Sequence, residues 1–450
     1  MNMDRRRFLQ SGAAAVLSTS AFRLVGADAP AKRYRTALVG CGWWGGNILG
    51  AAMASGACEI VALCDVDSRF LQRTEARVRK ETRDEPKPFR DYREMLEKIK
   101  PELCIVATPD HWHPLITIAA VRAGAHVYVE KPISHTILEG RAMVRAARAA
   151  GRVVQVGTHR RISPHNISAR EFIRAGKLGK LGMVRAFVNY GGGGPEQPKP
   201  NTQPPPELDW DFWCGPAPKR PFNGNPQNPW GSGIHPRGFR MFLDYANGTL
   251  GDWGIHWLDQ IMWITGEQAP TLVSSLGGRP IKGPPILNDK EQTSDAPDHQ
   301  LAQYKFRDFD VTWEHRQFAG HNAEKGENVG CYFFGTEGTL HLGWQKGWTF
   351  YPAKDSQPTL HEDAQLGQPD GQNIRELWAD FLDCIRTGRR PVSDIEDLHL
   401  STNAALLGML SLKLGRSVNW DAAKYDCVGD AEANKLLRRA YRGDWKYPEI

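Results

Sequence analysis

The sequence lacks the features that would take it out of the ordinary folded class. No apolar run in its 450 residues approaches the ~20 needed to span a bilayer, so no membrane-crossing helix is expected in the mature chain. Cysteine is sparse, at 8 residues, which excludes a small scaffold held together by disulfides. Cys41, Cys58, Cys64 and Cys104 fall in or beside apolar stretches that read as buried strands, where an unpaired cysteine behaves as a small hydrophobe; no disulfide framework is expected. Basic runs are missing beyond the N-terminus, and the net charge of +6 is partly local to Arg5, Arg6, Arg7 and Arg23. With acids and bases interspersed elsewhere, a nucleic-acid surface is not expected. No internal repeat is visible. His159, Asp252 and His256 are a conceivable metal set, but without tight ligand spacing no metal is assigned. What remains is a soluble globular composition, 41% apolar and 24% charged, long enough for about three domains at ~150 residues each.

The N-terminus carries an address. Asp4 to Gln10 reads D-R-R-R-F-L-Q, followed by an uncharged stretch to Phe22 and the small residues Val25-Gly26-Ala27. A basic region, a short apolar region and a small-residue cleavage site read as a twin-arginine export signal over residues 1–27. That route implies the export machinery as a partner and a periplasmic location. It moves proteins already folded, so a cofactor can be loaded before export.

From Tyr34 an apolar strand runs into Gly40-x-Gly42-x-x-Gly45, and an apolar helical pattern follows through Ile48, Leu49 and Met53. A second strand, Glu59 to Cys64, ends at Asp65, at the ~20-residue interval expected of a ribose-binding acid. Gly40 permits the turn, Gly42 admits a pyrophosphate to the backbone, and Gly45 lets helix and strand pack closely. Asp65 accepts from ribose hydroxyls and repels a 2′-phosphate, which favours NAD; Arg69 nearby keeps NADP open. Strands at Cys104–Ala107, His126–Val129 and Val153–Val156 alternate with helices at Pro114–Ala123 and Thr136–Ala150. This rhythm predicts a doubly wound parallel sheet over residues 34–157. Ligands bind at the carboxyl ends of such strands, where Thr108-Pro109-Asp110-His111-Trp112-His113 and Glu130-Lys131-Pro132 fall. Trp43, Trp44, Thr108, Pro109, His113, Glu130 and Lys131 therefore join Gly40, Gly42, Gly45 and Asp65 as cofactor-binding candidates.

The G-x-G-x-x-G, the T-P-D-H-W-H, the E-K-P and the later Asp252-x-x-x-His256 together resemble the glucose–fructose oxidoreductase, inositol dehydrogenase and rhizopine-catabolism (Gfo/Idh/MocA) family. The resemblance runs from about residue 34 to the end. It implies a Rossmann domain followed by a domain built on a large, mostly antiparallel sheet, with substrate held between them. It also implies that Lys131 sits near nicotinamide and substrate and that Asp252 and His256 line the reactive site. Members act mostly on sugars and cyclic polyols, and a minority resemble glycosidases that use bound NAD transiently.

Past Gly157 the pattern changes to strands without crossover helices, at Val184–Val188, Leu301–Phe306, Val311–Arg316, Val329–Phe334 and Thr339–Leu342. Close connections favour an antiparallel sheet in the domain spanning 158–450. Helical patterns cover Gln372–Thr387 and Asp397–Leu414, stopping at Gly388 and Gly415. Between Gly191 and Pro236 lie twelve prolines, eight glycines, Trp210, Trp213, Phe222 and Trp230. Two readings stand: these rings cover the cleft and stack on sugar faces, or they pack the loop onto its own subunit or a neighbour.

Oxidising a secondary alcohol needs a base for the hydroxyl proton. Lys131 fits if burial lowers its pKa, and its rival role is an ion pair or a cofactor-positioning contact. His256 needs little tuning. Asp252 and His256 share one face of a helix expected over Gly251–Ile264, though Asp252 also fits a helix cap. His159, Arg160, Arg161 and Tyr190 are substrate-binding candidates, the arginines fitting a structural role at the domain junction equally well. Asp259 orients His256 or faces solvent. The functional expectation is an exported, homo-oligomeric, NAD-dependent oxidoreductase of sugars or cyclic polyols. Its rivals are an NAD-dependent glycoside-cleaving enzyme and a cofactor-retaining binding protein.

Overall fold

The computed structural model describes residues 33–224, 233–235, 237–322, 324–367 and 372–449. The export signal and Trp230 lie outside the described residues. Six strands form the first sheet: β1 (Tyr34–Val39), β2 (Cys58–Cys64), β3 (Lys87–Phe89), β4 (Leu103–Val106), β5 (His126–Val129) and β6 (Val154–Val156). Their order is β3-β2-β1-β4-β5-β6, and every pairing is parallel. The crossovers are α1 (Trp43–Ala54), α2 (Ser68–Glu81), α3 (Tyr92–Ile99), α4 (His113–Arg122) and α5 (Ile137–Ala149). Local chemistry sets the helix starts: the Asp67 carboxylate accepts from the Arg69 amide at α2, and Thr136 with Glu139 forms a capping box at α5.

The second sheet has ten strands. They are β7 (Leu181–Asn189), β9 (Leu272–Gly278), β11 (His299–Lys305), β12 (Asp310–Arg316), β13 (Val329–Gly335), β14 (Gly338–Gly343), β15 (Trp348–Pro352), β16 (Leu360–Glu362), β17 (Val418–Asp421) and β18 (Asp426–Cys427). The order is β16-β15-β14-β13-β7-β12-β11-β9-β17-β18. Only β7 and β12 run parallel; every other pairing in this sheet is antiparallel. A two-stranded ribbon joins β8 (Lys199–Pro200) to β10 (Glu291–Gln292). The helices are α6 (Pro164–Arg174), α7 (Trp210–Cys214), α8 (Ile255–Thr265), α9 (Ile374–Thr387), α10 (Ile395–Leu414) and α11 (Ala431–Lys435). One face of the large sheet carries Val184, Ala186, Ala302, Tyr304 and Trp313, buried against Phe172, Trp257, Ile261 and Leu407 of α6, α8 and α10. The opposite face leaves Leu276 71% exposed and Leu301 and Met183 each 40% exposed.

The division at residue 157 separates the two sheets but not the two cores. Ile374, Leu377, Trp378 and Phe381 of α9 pack with Leu38, Ile48, Ile105 and Tyr128 of the first sheet and α1. Gln155 Nε2 donates to the Leu377 carbonyl at 2.6 Å, and the Val156 amide donates to Ser393. The Rossmann core is therefore completed by a helix more than 200 positions downstream, whose buried face reads in sequence like that of any amphipathic helix.

Candidate functional site

A cleft of about 940 Å³ opens at the carboxyl ends of β1, β2, β4 and β5, where the second domain closes over the first. Its floor is the glycine-rich turn. Gly40 has φ +96°, and a Cβ there would lie 2.5 Å from the Ala107 carbonyl oxygen, so only glycine fits. A Cβ on Gly45 would lie 2.0 Å from the Gly40 carbonyl oxygen. Gly45 is buried and shapes the turn without lining the cleft. Around Gly42 a Cβ would meet nothing within 4 Å, and as the residue capping α1 it contributes no side-chain hydrogen bond. The approach to the N-terminus of α1 is thus left open at Gly42, which suits a dinucleotide pyrophosphate.

At the end of β2, Asp65 Oδ2 accepts from the Cys41 amide at 2.7 Å and Oδ1 from the Asp67 amide at 2.8 Å. Burial raises the Asp65 carboxyl to about 6, against the lowering effect of these amides. Arg69, the residue that kept NADP open, is committed elsewhere: its Nε and Nη2 bond the two oxygens of Asp67 at 2.9 and 2.6 Å.

Thr108, Pro109, Trp43, Trp44, Glu130 and Lys131 all line the cleft. His113 does not. It lies fully buried behind the wall, with Nδ1 2.8 Å from the Pro132 carbonyl and Nε2 2.8 Å from the Thr108 carbonyl. It ties together the two loops that carry the ligand-facing residues.

The reactive end gathers Lys131, Asp252 and His256 with His159 and Tyr190. Lys131 Nζ contacts Asp252 Oδ1 at 2.6 Å and donates to the Asp252 carbonyl at 2.9 Å. Arg240 Nε reaches the same Oδ1 at 3.2 Å. Burial alone would raise the Asp252 carboxyl, but the charges of Lys131 and Arg240 outweigh it and bring it to about 2. Asp252 does not begin a regular helix as expected. Leu250–Gly254 is a π-turn leading into α8, a widened geometry common at functional sites. His256 follows in α8, its ring 5.5 Å from that of His159. Burial, with Lys131 and His159 adding to it, holds the His256 pKa well below the ordinary imidazole value, and its Nδ1 has no protein partner.

Three substrate candidates are placed elsewhere. Arg161 is 4% exposed at the side chain and bonds Asp259 through Nε and Nη2, the closest approach being 2.7 Å. Asp259 therefore neither orients His256 nor faces solvent; a carboxylate buried to 1% exposure requires a cation, and Arg161 supplies it. Ser401 donates to the same Asp259 oxygen at 2.9 Å, so the pair locks α8 and α10 to the end of the first sheet. Arg160 donates to the carbonyls of Gly343 and Trp344, its guanidinium 4.2 Å from the Trp344 ring. It acts on the cleft through Trp344, which lines it.

The cleft also holds residues that sequence reasoning did not select. Arg237 and Arg240 enter from a stretch with no periodicity to mark them. Asp110 stands inside the quoted T-P-D-H-W-H cluster, where its company was the available signal; burial raises its carboxyl to about 7, with Arg240 and Lys131 opposing. Glu130 is likewise raised to about 7 by burial. Phe212, Trp213 and His235 of the proline-rich segment line the cleft, and Trp210 stacks on Trp213 with centroids 4.6 Å apart. Its rings pack on their own subunit, and Phe212 and Trp213 also line the cleft. Among the described residues no group of three or more His, Cys, Asp or Glu could hold a metal ion.

Residues 34–158 match the oxidoreductase family with an NAD-binding Rossmann fold, and residues 189–276 and 296–447 match that family's C-terminal alpha/beta domain. The chain is 23% identical over 343 residues to scyllo-inositol 2-dehydrogenase (NAD(+)) of Bacillus subtilis, covering 74% of this chain and 81% of that protein. Over 111 residues it is 32% identical to a glycosyl hydrolase family 109 protein of Akkermansia muciniphila, 24% of this chain and 23% of the other. Its fold is similar to that of an aldose-aldose oxidoreductase from Caulobacter crescentus, with TM-score 0.62, 19% identity, and coverage of 86% of this chain and 100% of that one. With both halves of the chain matched and an NAD-suited cleft between them, the chain belongs to the Gfo/Idh/MocA family of NAD-binding oxidoreductases.

Proposed function

We propose that the protein oxidises or reduces a secondary alcohol of a sugar or cyclic polyol, with Lys131, Asp252 and His256 handling the proton. The observation that carries this reading is the Lys131–Asp252 ion pair with His256, whose burial keeps its imidazole uncharged, the three residues lining one cleft. The nicotinamide supplies the hydride acceptor on oxidation and the donor on reduction. His256, neutral at working pH, accepts the hydroxyl proton at the ring nitrogen that meets the cleft. Lys131, held by Asp252 and the Asp252 carbonyl, donates a hydrogen bond to the substrate oxygen as negative charge develops there. Tyr190, Trp253 and Trp344 form an aromatic wall, with Trp253 4.9 Å from Trp344, suited to the C–H face of a ring. The sugar and polyol names among the relatives support the substrate class. Incubating purified protein with a panel of sugars and inositols while following nicotinamide absorbance tests it; no absorbance change with any of them argues against net oxidation.

Redox-neutral glycoside cleavage is the second reading, supported by the glycosyl hydrolase family 109 relatives. Release of an aryl aglycone without net change in nicotinamide absorbance would select it.

The export reading belongs here too. The twin-arginine pattern of residues 1–27 supports folding around the nucleotide in the cytosol and delivery to the periplasm. A homo-oligomer is supported by the apolar residues that the large sheet leaves on its open face.

A further inference from the structure

A Rossmann crevice is ordinarily open on the side away from its sheet, and here that side is walled. Residues 207–209 lie beside the loop after β2. The Asp209 amide donates to Val66 and the Ser68 amide to Glu207, each at 3.0 Å, with an antiparallel bridge between Asp67 and Leu208. Arg90 pairs with Asp209, and the Trp213 carbonyl accepts from Trp112 Nε1 at 2.8 Å. Farther along, His235 Nε2 lies 3.2 Å from Asp67 Oδ2, and the Arg237 guanidinium sits 4.2 Å above the Trp43 ring of the glycine-rich turn. Phe212, Trp213, His235 and Arg237 line the same cleft as Asp65 and Gly42.

The wall is itself fastened from outside by the chain's last residues. Trp445 stacks on Phe212 at 5.8 Å and 13° and meets Trp112 edge-on at 4.9 Å. Arg442 Nε donates to the carbonyls of Gly215 and Ala217 at 3.1 Å each, and Nη2 to Asp211 at 2.8 Å. Arg439 anchors the tail to buried Glu139 at 3.0 Å. These contacts lie outside the strand pairings of both sheets. They join three distant stretches of chain around the end of the cleft where Asp65 stands.

We propose that residues 205–217, with Arg237, form a second wall of the dinucleotide site, and that the C-terminal tail at Arg442 and Trp445 latches it shut. The nucleotide is then retained through turnover instead of exchanging between cycles. This rests on the nicotinamide-dinucleotide reading of the cleft. Arg237 over the glycine-rich turn supplies the cation that a pyrophosphate lacks in a turn of glycines and tryptophans. Phe212 and Trp213 supply faces for an aromatic base.

The test uses the full-length protein loaded with NADH and chased with excess NAD, with nucleotide fluorescence reporting the dissociation rate. Wild type is expected to release slowly. Arg442→Ala with Trp445→Ala is expected to release at least ~10-fold faster, and Trp445→Phe to restore slow release because a flat ring still stacks on Phe212. Arg237→Ala, which leaves the tail untouched, is expected to speed release as well, so the outcome does not depend on the tail variant folding perfectly. A rate within about twofold of wild type in the tail variant would overturn the latch, and the same in Arg237→Ala would overturn the wall, either one leaving the nucleotide reading intact. Failure of wild type itself to bind NADH would remove that reading and the latch together.

Discussion

Lys131 and Asp252 stand 121 positions apart in sequence and belong to different sheets' domains, yet Nζ and Oδ1 meet at 2.6 Å. The pair is the shortest link between the nucleotide-facing loop after β5 and the π-turn before α8. It closes the reactive end and sets the charge there. Replacing Lys131 with Ala removes the hydrogen bond to the substrate oxygen. Asp252→Asn keeps the shape but releases the lysine. Each is expected to lower turnover by ~10²–10⁴-fold while NADH fluorescence titrations show binding largely preserved. Loss of nucleotide binding in both variants would make the pair a cofactor scaffold, not proton-handling machinery.

His256 is expected to leave no titration of its own near neutrality. Burial and Lys131 hold its pKa well below 6.5, so it stays a neutral acceptor across the working range. Asp110 and Glu130, each raised to about 7 chiefly by burial, are cleft groups whose ionisation falls near neutrality instead. His256→Asn should therefore depress turnover ~10²–10⁴-fold yet leave the position of any inflection near pH 7 unchanged. An inflection that vanishes in this variant would assign it to the imidazole.

The nucleotide preference follows from Asp65. Raised to about 6 by burial, it is an anion above that pH and accepts from ribose hydroxyls; below it, protonation removes acceptor capacity. NAD affinity is expected to fall as pH drops through 6. Asp65→Ser is expected to weaken NAD and narrow the NAD-over-NADP ratio by removing the charge that repels a 2′-phosphate, without inverting it, because Arg69 is bound to Asp67 and does not offer a 2′-phosphate site. An unchanged ratio in titrations of both nucleotides would move recognition to Arg73, which also lines the cleft.

Much of this site was legible because its residues mark themselves locally. Gly40, Gly42 and Gly45 run from the end of a strand into the first turn of a helix, and Glu130-Lys131-Pro132 follows a strand. Asp252 and His256 are chemistry-bearing residues in an apolar helical run. Arg237 and Arg240 carry no such mark, since they come from a stretch whose place is decided by tertiary contacts to Trp43 and Asp252. Arg161 and Asp259 show the converse: both have the chemistry of a substrate site, but their mutual distance, invisible in sequence, makes them a buried ion pair. The β-strands at Leu272–Gly278 and Trp348–Pro352 escaped because glycines and a proline dilute their alternation, and pairing to neighbours defines them. The tail latch is equally silent, for Arg442 and Trp445 gain meaning only when Phe212 is brought beside them.

Asp110 offers a test in stability. It is buried beside Arg240, Asp252 and Lys131, and its carboxyl is raised from 3.8 to about 7 in the folded chain. Between those values the folded state holds a proton that the unfolded state has released. The Asp110 contribution to stability is therefore intact below about pH 4, falls as pH rises towards 7, and stays lost above it. Asn carries no such proton. Asp110→Asn should differ least from wild type at pH 4.5 and gain on it progressively, by a further ~1–4 kcal/mol at pH 8. Urea unfolding of the nucleotide-free protein at both pH values measures this difference. A gap of the same size at pH 4.5 and pH 8 would mean that Asp110 ionises normally, and that Lys131 and Arg240 neutralise it as fully as they do Asp252.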